Sequence, residues 1–147
     1  MVRYAYSSRR MPAGCALALA LLATPAFAQN DPEAAQFAHC SGPGRVTCVV
    51  DGDTIWYRGA KIRLADINAP EVSQPGCAAE AALGVRATRR LTELLNAGPF
   101  SLARAGRDVD RYGRLLREVR RRGASLGGTL ESEGLAERWQ GKRGSWC

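Results

Sequence analysis

The sequence is poor in the residues that hold soft metals. Its 147 residues include one histidine, His39, and its five cysteines nowhere take the C-x₂-C spacing of a zinc knuckle, which argues against a zinc-centred fold. Long apolar runs are missing too: the stretch from Gly14 to Ala23 is well short of the roughly 20 residues needed to span a bilayer. No repeat and no low-complexity segment follows Ala28. The part after Ala28 has the length of one domain with one modest core, and no second domain is needed.

The first 28 residues read as a leader. Arg3, Arg9 and Arg10 make a positive start, the apolar run follows, and Ala26-Phe27-Ala28 is an A-x-A cleavage site. Pro12 stands where a twin-arginine signal carries an apolar residue, so an ordinary secretory signal is expected, with a periplasmic or secreted product. Residues 29–45 are read as an N-terminal arm and 46–147 as the domain. Three of the 21 basic residues and none of the 14 acids lie in the leader, leaving 18 against 14. That charge is lopsided: 7 basic and 8 acidic residues from Gln29 to Ala97, 11 and 6 from Gly98 to Cys147. The basic half points to an anionic partner, nucleic acid first, although a solvated face would look the same.

Four cysteines follow the leader: Cys40, Cys48, Cys77 and Cys147. An even number in an exported chain argues for two disulfides in one of three connectivities. Proximity alone favours Cys40 with Cys48 and Cys77 with Cys147.

Alternation predicts strands at Val46 to Asp51, Thr54 to Arg58 and Ala60 to Ile67, with a tight reversal at Arg58-Gly59. Leu83, Ala87, Leu91, Leu94 and Leu95 recur at helical spacing, predicting a helix over Ala78 to Asn96 that Gly98-Pro99 stops. Two further strands, Pro99 to Arg104 and Leu115 to Arg120, precede a second helix from about Ser125 to Glu133 with Gly134 at its end. Gln29 to His39 is unpatterned and reads as a loose arm or short helix. The expected fold is therefore α+β, a small five-stranded Greek-key barrel of the OB type with two helices.

The chemistry concentrates between Val49 and Glu71. Asp51-Gly52-Asp53-Thr54 gathers two carboxylates at a turn, and Asn68-Ala69-Pro70-Glu71 adds an amide oxygen, a carbonyl and a third carboxylate. Hard oxygen donors of this kind suit Ca²⁺ or Mg²⁺. A cation, Arg63 and a free carboxylate are what phosphodiester hydrolysis requires. Plainer readings stand beside this one. The aspartates could only cap a turn, and Arg63, between Ile62 and Leu64, could face solvent. Strict alternation also puts Arg63 and Asn68 on opposite faces, so convergence requires a bend near Ala65-Asp66.

DGDT, the Ile62-Arg63-Leu64 strand, NAPE, Asp110-Arg111-Tyr112-Gly113-Arg114 and Glu133-Gly134-Leu135-Ala136 occur in the order and spacing of the staphylococcal nuclease (thermonuclease) family, which the chain resembles from about Val46 to Arg138. The resemblance implies the same OB-type barrel. It also implies Asp53, Asn68 and the Ala69 carbonyl as Ca²⁺ ligands, with Asp51 and Thr54 supporting them. Glu71 would act on the attacking water, Arg63 and Arg114 would grip the scissile phosphate, and Tyr112, with Arg111, would lie near the nucleotide. Asn68 departs from the family's aspartate, so a weaker metal site is expected. Trp139, Trp146, Lys142 and Arg143 are candidates for stacking and phosphate contacts, or for a packed C-terminal segment. The implied activity is that of a monomeric, Ca²⁺-dependent endonuclease acting on DNA and RNA and leaving 3′-phosphates. The alternative is a module of the same family that binds nucleic acid without cutting it.

Overall fold

A computed structural model describes residues 30–147. The expected leader and its cleavage site lie outside the described residues. Nine strands and two helices follow in the order β1 (Ala38–His39), β2 (Cys48–Asp51), β3 (Thr54–Tyr57), β4 (Ala60–Leu64), β5 (Ile67–Asn68), α1 (Ala78–Asn96), β6 (Ser101–Val109), β7 (Leu115–Arg121), β8 (Ala124–Ser125), α2 (Leu126–Ser132) and β9 (Glu137–Arg138). Among these residues no helix is long and apolar enough to cross a membrane.

The two helices stand where helical spacing puts them, but the five-stranded Greek-key barrel does not form. The main sheet is open, in the order β1-β2-β3-β4-β7-β6, with β8 added to β7. Its β1 edge pairs only with β2 and its β6 edge only with β7. The strand expected to run on through Ile67 breaks at Ala65-Asp66, and β5 leaves to make a separate two-stranded ladder with β9. A strand diverted into its own ladder cannot carry the main sheet around to closure.

Local chemistry explains the β2-β3-β4 meander. Arg58 and Gly59 both take positive φ, 50° and 80°, between paired Tyr57 and Ala60, which is the two-residue reversal whose twist suits a hairpin. At the other turn the register slips between Val49 and Asp51, so the DGDT loop is re-aimed. Gly52 answers a packing need. A Cβ there would come within 2.7 Å of both Ala69 Cβ and Ala87 Cβ, so the glycine lets the turn press against α1 and the NAPE segment. Gly52→Ala should therefore destabilise the protein by about 1–3 kcal/mol, the usual cost of overpacking. A urea midpoint equal to that of the unsubstituted protein would contradict this.

From residue 30 on, the stretch read as a loose arm or short helix forms no helix; Glu33 bridges to Phe100, Ala38–His39 is β1, and the segment packs on the core. Phe37 is buried and stacks on Tyr57 at 5.9 Å and against Phe100 at 6.0 Å. Asn96 accepts from Phe37 N–H at 2.7 Å and donates to its carbonyl at 2.9 Å. On α1 the buried positions include Ala87, Leu91 and Leu95, against Ile55, Ile62, Leu64 and Leu130 in the same core. The two disulfides are Cys40–Cys48 and Cys77–Cys147. The first closes a short loop before β2, and the second ties Cys77, at the start of α1, to the far end of the chain.

Candidate active site

The bend at Ala65-Asp66 brings the backbone of Ile67 and Ala69 to Arg63 and Asp53, while the Asn68 side chain bonds to Glu137. Arg63 pairs with Thr54 across the β3-β4 ladder, beside the DGDT turn. Its Nη1 donates to the Leu64 carbonyl at 2.5 Å and to the Ile67 carbonyl at 3.0 Å. Its Nη2 lies 3.3 Å from Asp53 Oδ2. That same oxygen accepts from Ala69 N–H at 3.1 Å, while Asp53 Oδ1 accepts from the Thr54 hydroxyl at 2.8 Å. Asp53, Thr54, Arg63 and the NAPE backbone are thus locked together. Arg63 is only 7 % exposed, so it is no solvent-facing strand residue.

Asp51 lies beside Asp53, whose N–H it accepts at 3.1 Å. Burial first, and then the Asp53 charge, push the Asp51 carboxyl up to about 7, against the pull of the Asp53 N–H and the Thr54 hydroxyl. Asp66 has no part here, since its Oδ2 accepts from the Ser125 hydroxyl at 2.5 Å, at the start of α2. Asn68 donates through Nδ2 to Glu137 Oε1 at 2.9 Å, across the β5-β9 ladder.

Glu71 is placed by parts of α1 that carry no motif. Gly84 lets the Pro70 and Glu71 carbonyls approach the helix so closely that a Cβ would come within 2.9 Å of both. Glu80 accepts from Glu71 N–H at 3.1 Å and from Gly76 N–H at 2.6 Å, clasping the loop between them. Those two N–H bonds, Gly76's first, hold the Glu80 carboxyl below its ordinary range. A depressed acid contributes its stability above the unfolded pKa and loses it as pH falls through the folded one. The clasp on residues 71–76 should therefore loosen on acidification below about pH 4.3, the ordinary glutamate value. Amide exchange at Gly76 and Glu71 reads this directly, and protection unchanged down to the onset of global unfolding would refute it.

The segment from Asp110 to Arg114 is a closed turn between β6 and β7. Asp110 Oδ1 accepts from the N–H groups of Tyr112 and Arg114, at 2.9 and 3.0 Å, and its Oδ2 accepts from Arg114 Nε at 2.7 Å. Burial opposes ionisation of Asp110, but the Arg114 N–H and guanidinium and the Tyr112 N–H outweigh it and hold the carboxyl low. Arg114 is thereby aimed, with its Nη groups left over for a ligand. Tyr112 is 67 % exposed, flanked by Arg111 at 4.8 Å and Arg114 at 5.5 Å from its ring centre.

These pieces surround a cavity of about 920 Å³. Five arginines line it, Arg63, Arg107, Arg111, Arg114 and Arg143, together with Tyr112 and Trp139; its one acid, Asp110, is already paired with Arg114. Such a wall selects an anion with flat groups to stack. Glu71 is set back from the cavity and meets it through Arg143, whose Nη1 lies 2.5 Å from Glu71 Oε1.

A family model described as "Staphylococcal nuclease homologue" matches residues 61–144. The chain belongs to that family. Among curated proteins, endonuclease YncB of Bacillus subtilis (strain 168) is 39 % identical over 92 residues, 59 % of this chain and 43 % of the relative. The chain thus spans less than half the length of that curated relative. The match to the staphylococcal nuclease family takes in Arg63, Asn68, Glu71 and Arg114, and also Trp139 and Arg143.

Within this family member, Asp53 joins Arg63 to the Ala69 N–H and to Asp51, the Asn68 side chain is held by Glu137, and none of Asp51, Asp53, Asn68 and Ala69 lies on the cavity wall. Among the described residues no three acidic, histidine or cysteine side chains form a cluster able to hold a metal. A cation here would have to complete the shell begun by Asp53 with backbone and amide oxygens. Sequence reasoning missed Gly84, Glu80 and Glu137, because Gly84 and Glu137 act through segments further off in the chain and Glu80 acts through the backbone N–H groups of a loop, which carry no residue signature.

Proposed function

We propose that this protein is an exported, monomeric nuclease that hydrolyses phosphodiester bonds of DNA and RNA, using the arginine-lined cavity to hold the strand. The observation that carries the reading is the cavity itself, in which a fixed Arg114 and a fixed Arg63 stand beside two aromatic faces. Arg114 offers its free Nη donors to the phosphate oxygens, and Arg63 keeps its Nε–H and one Nη2 proton for them. Tyr112 presents an exposed ring to a base. Glu71 takes the proton of the attacking water, and the P–O5′ bond breaks with the 5′ oxygen taking a proton from solvent, leaving a 5′-hydroxyl and a 3′-phosphate. No group on the wall is set out to read a base edge or a 2′-hydroxyl, so both nucleic acids are accepted.

The donor set fits an oxygen-seeking cation. Asp53, the Asn68 amide oxygen and the Ala69 carbonyl would hold Ca²⁺ with Asp51 and Thr54 alongside, and a divalent cation would offset the burial and the Asp53 charge that push the Asp51 carboxyl up to about 7. When bound, the ion supplies a Lewis acid for the phosphate oxygen. With Asn68 neutral, binding should be weak.

Labelled single-stranded DNA incubated with the protein in Ca²⁺ should be cut to fragments with 3′-phosphate ends, and chelator should stop the reaction. Retention of the strand without cutting would select the binding module instead. Export predicts a periplasmic or secreted form whose first residue is Gln29, which N-terminal sequencing would read.

A further inference from the structure

We propose that Arg143 is a phosphate-binding residue of the substrate site, presented by a C-terminal segment that is fastened over the cavity. The inference rests on the nuclease reading of that cavity. The segment is held at successive points. β9 pairs with β5, Trp139 N–H donates to the Asp66 carbonyl at 2.9 Å, and Gly144 N–H donates to Glu137 Oε1 at 2.6 Å. The Cys77–Cys147 disulfide then ties its end to the start of α1. Arg143 lies between two of these fastenings, so its backbone is placed while its side chain remains 62 % exposed.

Its neighbours define what it does. Trp139 covers Arg63, with the guanidinium carbon 4.7 Å from the ring centre, so this segment already forms one wall of the site. Arg143 lines the same cavity, and its partner there is Glu71, 27 % exposed. A partly exposed pair of this kind is worth little in stability, so a better-matched anion can take its arginine. A phosphodiester entering a cavity walled by arginines offers two oxygens in the geometry a guanidinium fork matches. Arg143 therefore moves from Glu71 to the phosphate as the strand binds, which leaves the Glu71 carboxylate unpaired to act on water. Substrate entry and exposure of the base become one event.

The test is binding of a fluorescent single-stranded oligonucleotide in chelator, as a function of salt, by the unsubstituted protein and by Arg143→Gln, Arg143→Lys and Arg90→Gln. Arg90 pairs with Glu133 and is not on the cavity wall. Arg143→Gln should bind roughly tenfold more weakly at low salt, the loss expected for one charge-assisted contact. The slope of log affinity against log salt should fall by about 0.7, one phosphate contact on a single strand. Arg143→Lys should restore the slope, and Arg90→Gln should leave it unchanged. Tighter binding, or an unchanged slope, in Arg143→Gln would overturn the proposal and make Arg143 only a cover for Glu71. If the unsubstituted protein binds no oligonucleotide, the nucleic-acid reading falls and this inference with it; binding with an unchanged slope removes the inference alone.

Discussion

Glu71→Gln should lose about 10²- to 10⁴-fold in turnover, the range that one general base contributes, while oligonucleotide binding survives. The substitution keeps the volume and removes the proton acceptor. Its structural cost is small, because the loop is held through Glu71 N–H and Gly84 and the side chain makes only a partly exposed ion pair with Arg143. Thermal unfolding close to that of the unsubstituted protein is therefore expected alongside the lost rate. A cleavage rate within a fewfold of the original would remove Glu71 from the chemistry.

Arg63→Lys should fail in two ways at once. Arg63 is buried and divides its donors among the Leu64 carbonyl, the Ile67 carbonyl and Asp53. One ammonium cannot reach all three, and each buried acceptor left alone costs about 1–3 kcal/mol. The expected loss of about 2–4 kcal/mol is a large share of the roughly 5–15 kcal/mol typical of a domain. Catalysis should fall with it, because the Arg63 contacts also fix Asp53 and the NAPE segment. Urea unfolding and single-turnover cleavage measured on the same variant separate the two effects. Near-normal values in both would show that charge alone matters at this position. Arg114→Lys is the useful contrast, since Arg114 sits in a surface turn and its loss should reduce cleavage far more than stability.

How legible the site was depended on whether a residue acts locally. The Asp110 turn could be read from its own five residues, because its hydrogen bonds stay within them. Arg63 could not, since period-2 alternation identifies the two faces of a strand without saying whether both are covered; here Leu64, Arg63 and Ile62 are all buried. Gly52 and Gly84 show the same limit. Each looks like a helix or turn residue in sequence, and each is in fact a gap into which a distant segment fits.

What the sequence by itself determined about this protein is the set of elements whose causes lie within a few residues. α1 follows from its helical spacing and the Gly98-Pro99 stop, the β3-β4 reversal from Arg58-Gly59, and the likeness to the staphylococcal nuclease family from motif order. Tertiary structure alone decided that the sheet stays open, that Phe37 belongs to the core, and that Glu137 meets Asn68 and Arg143 meets Glu71. Backbone angles and side-chain period are fixed by near neighbours. Which strand a bent segment pairs with, and which charge a fastened loop reaches, depend on competition among all the surfaces the folded chain brings together.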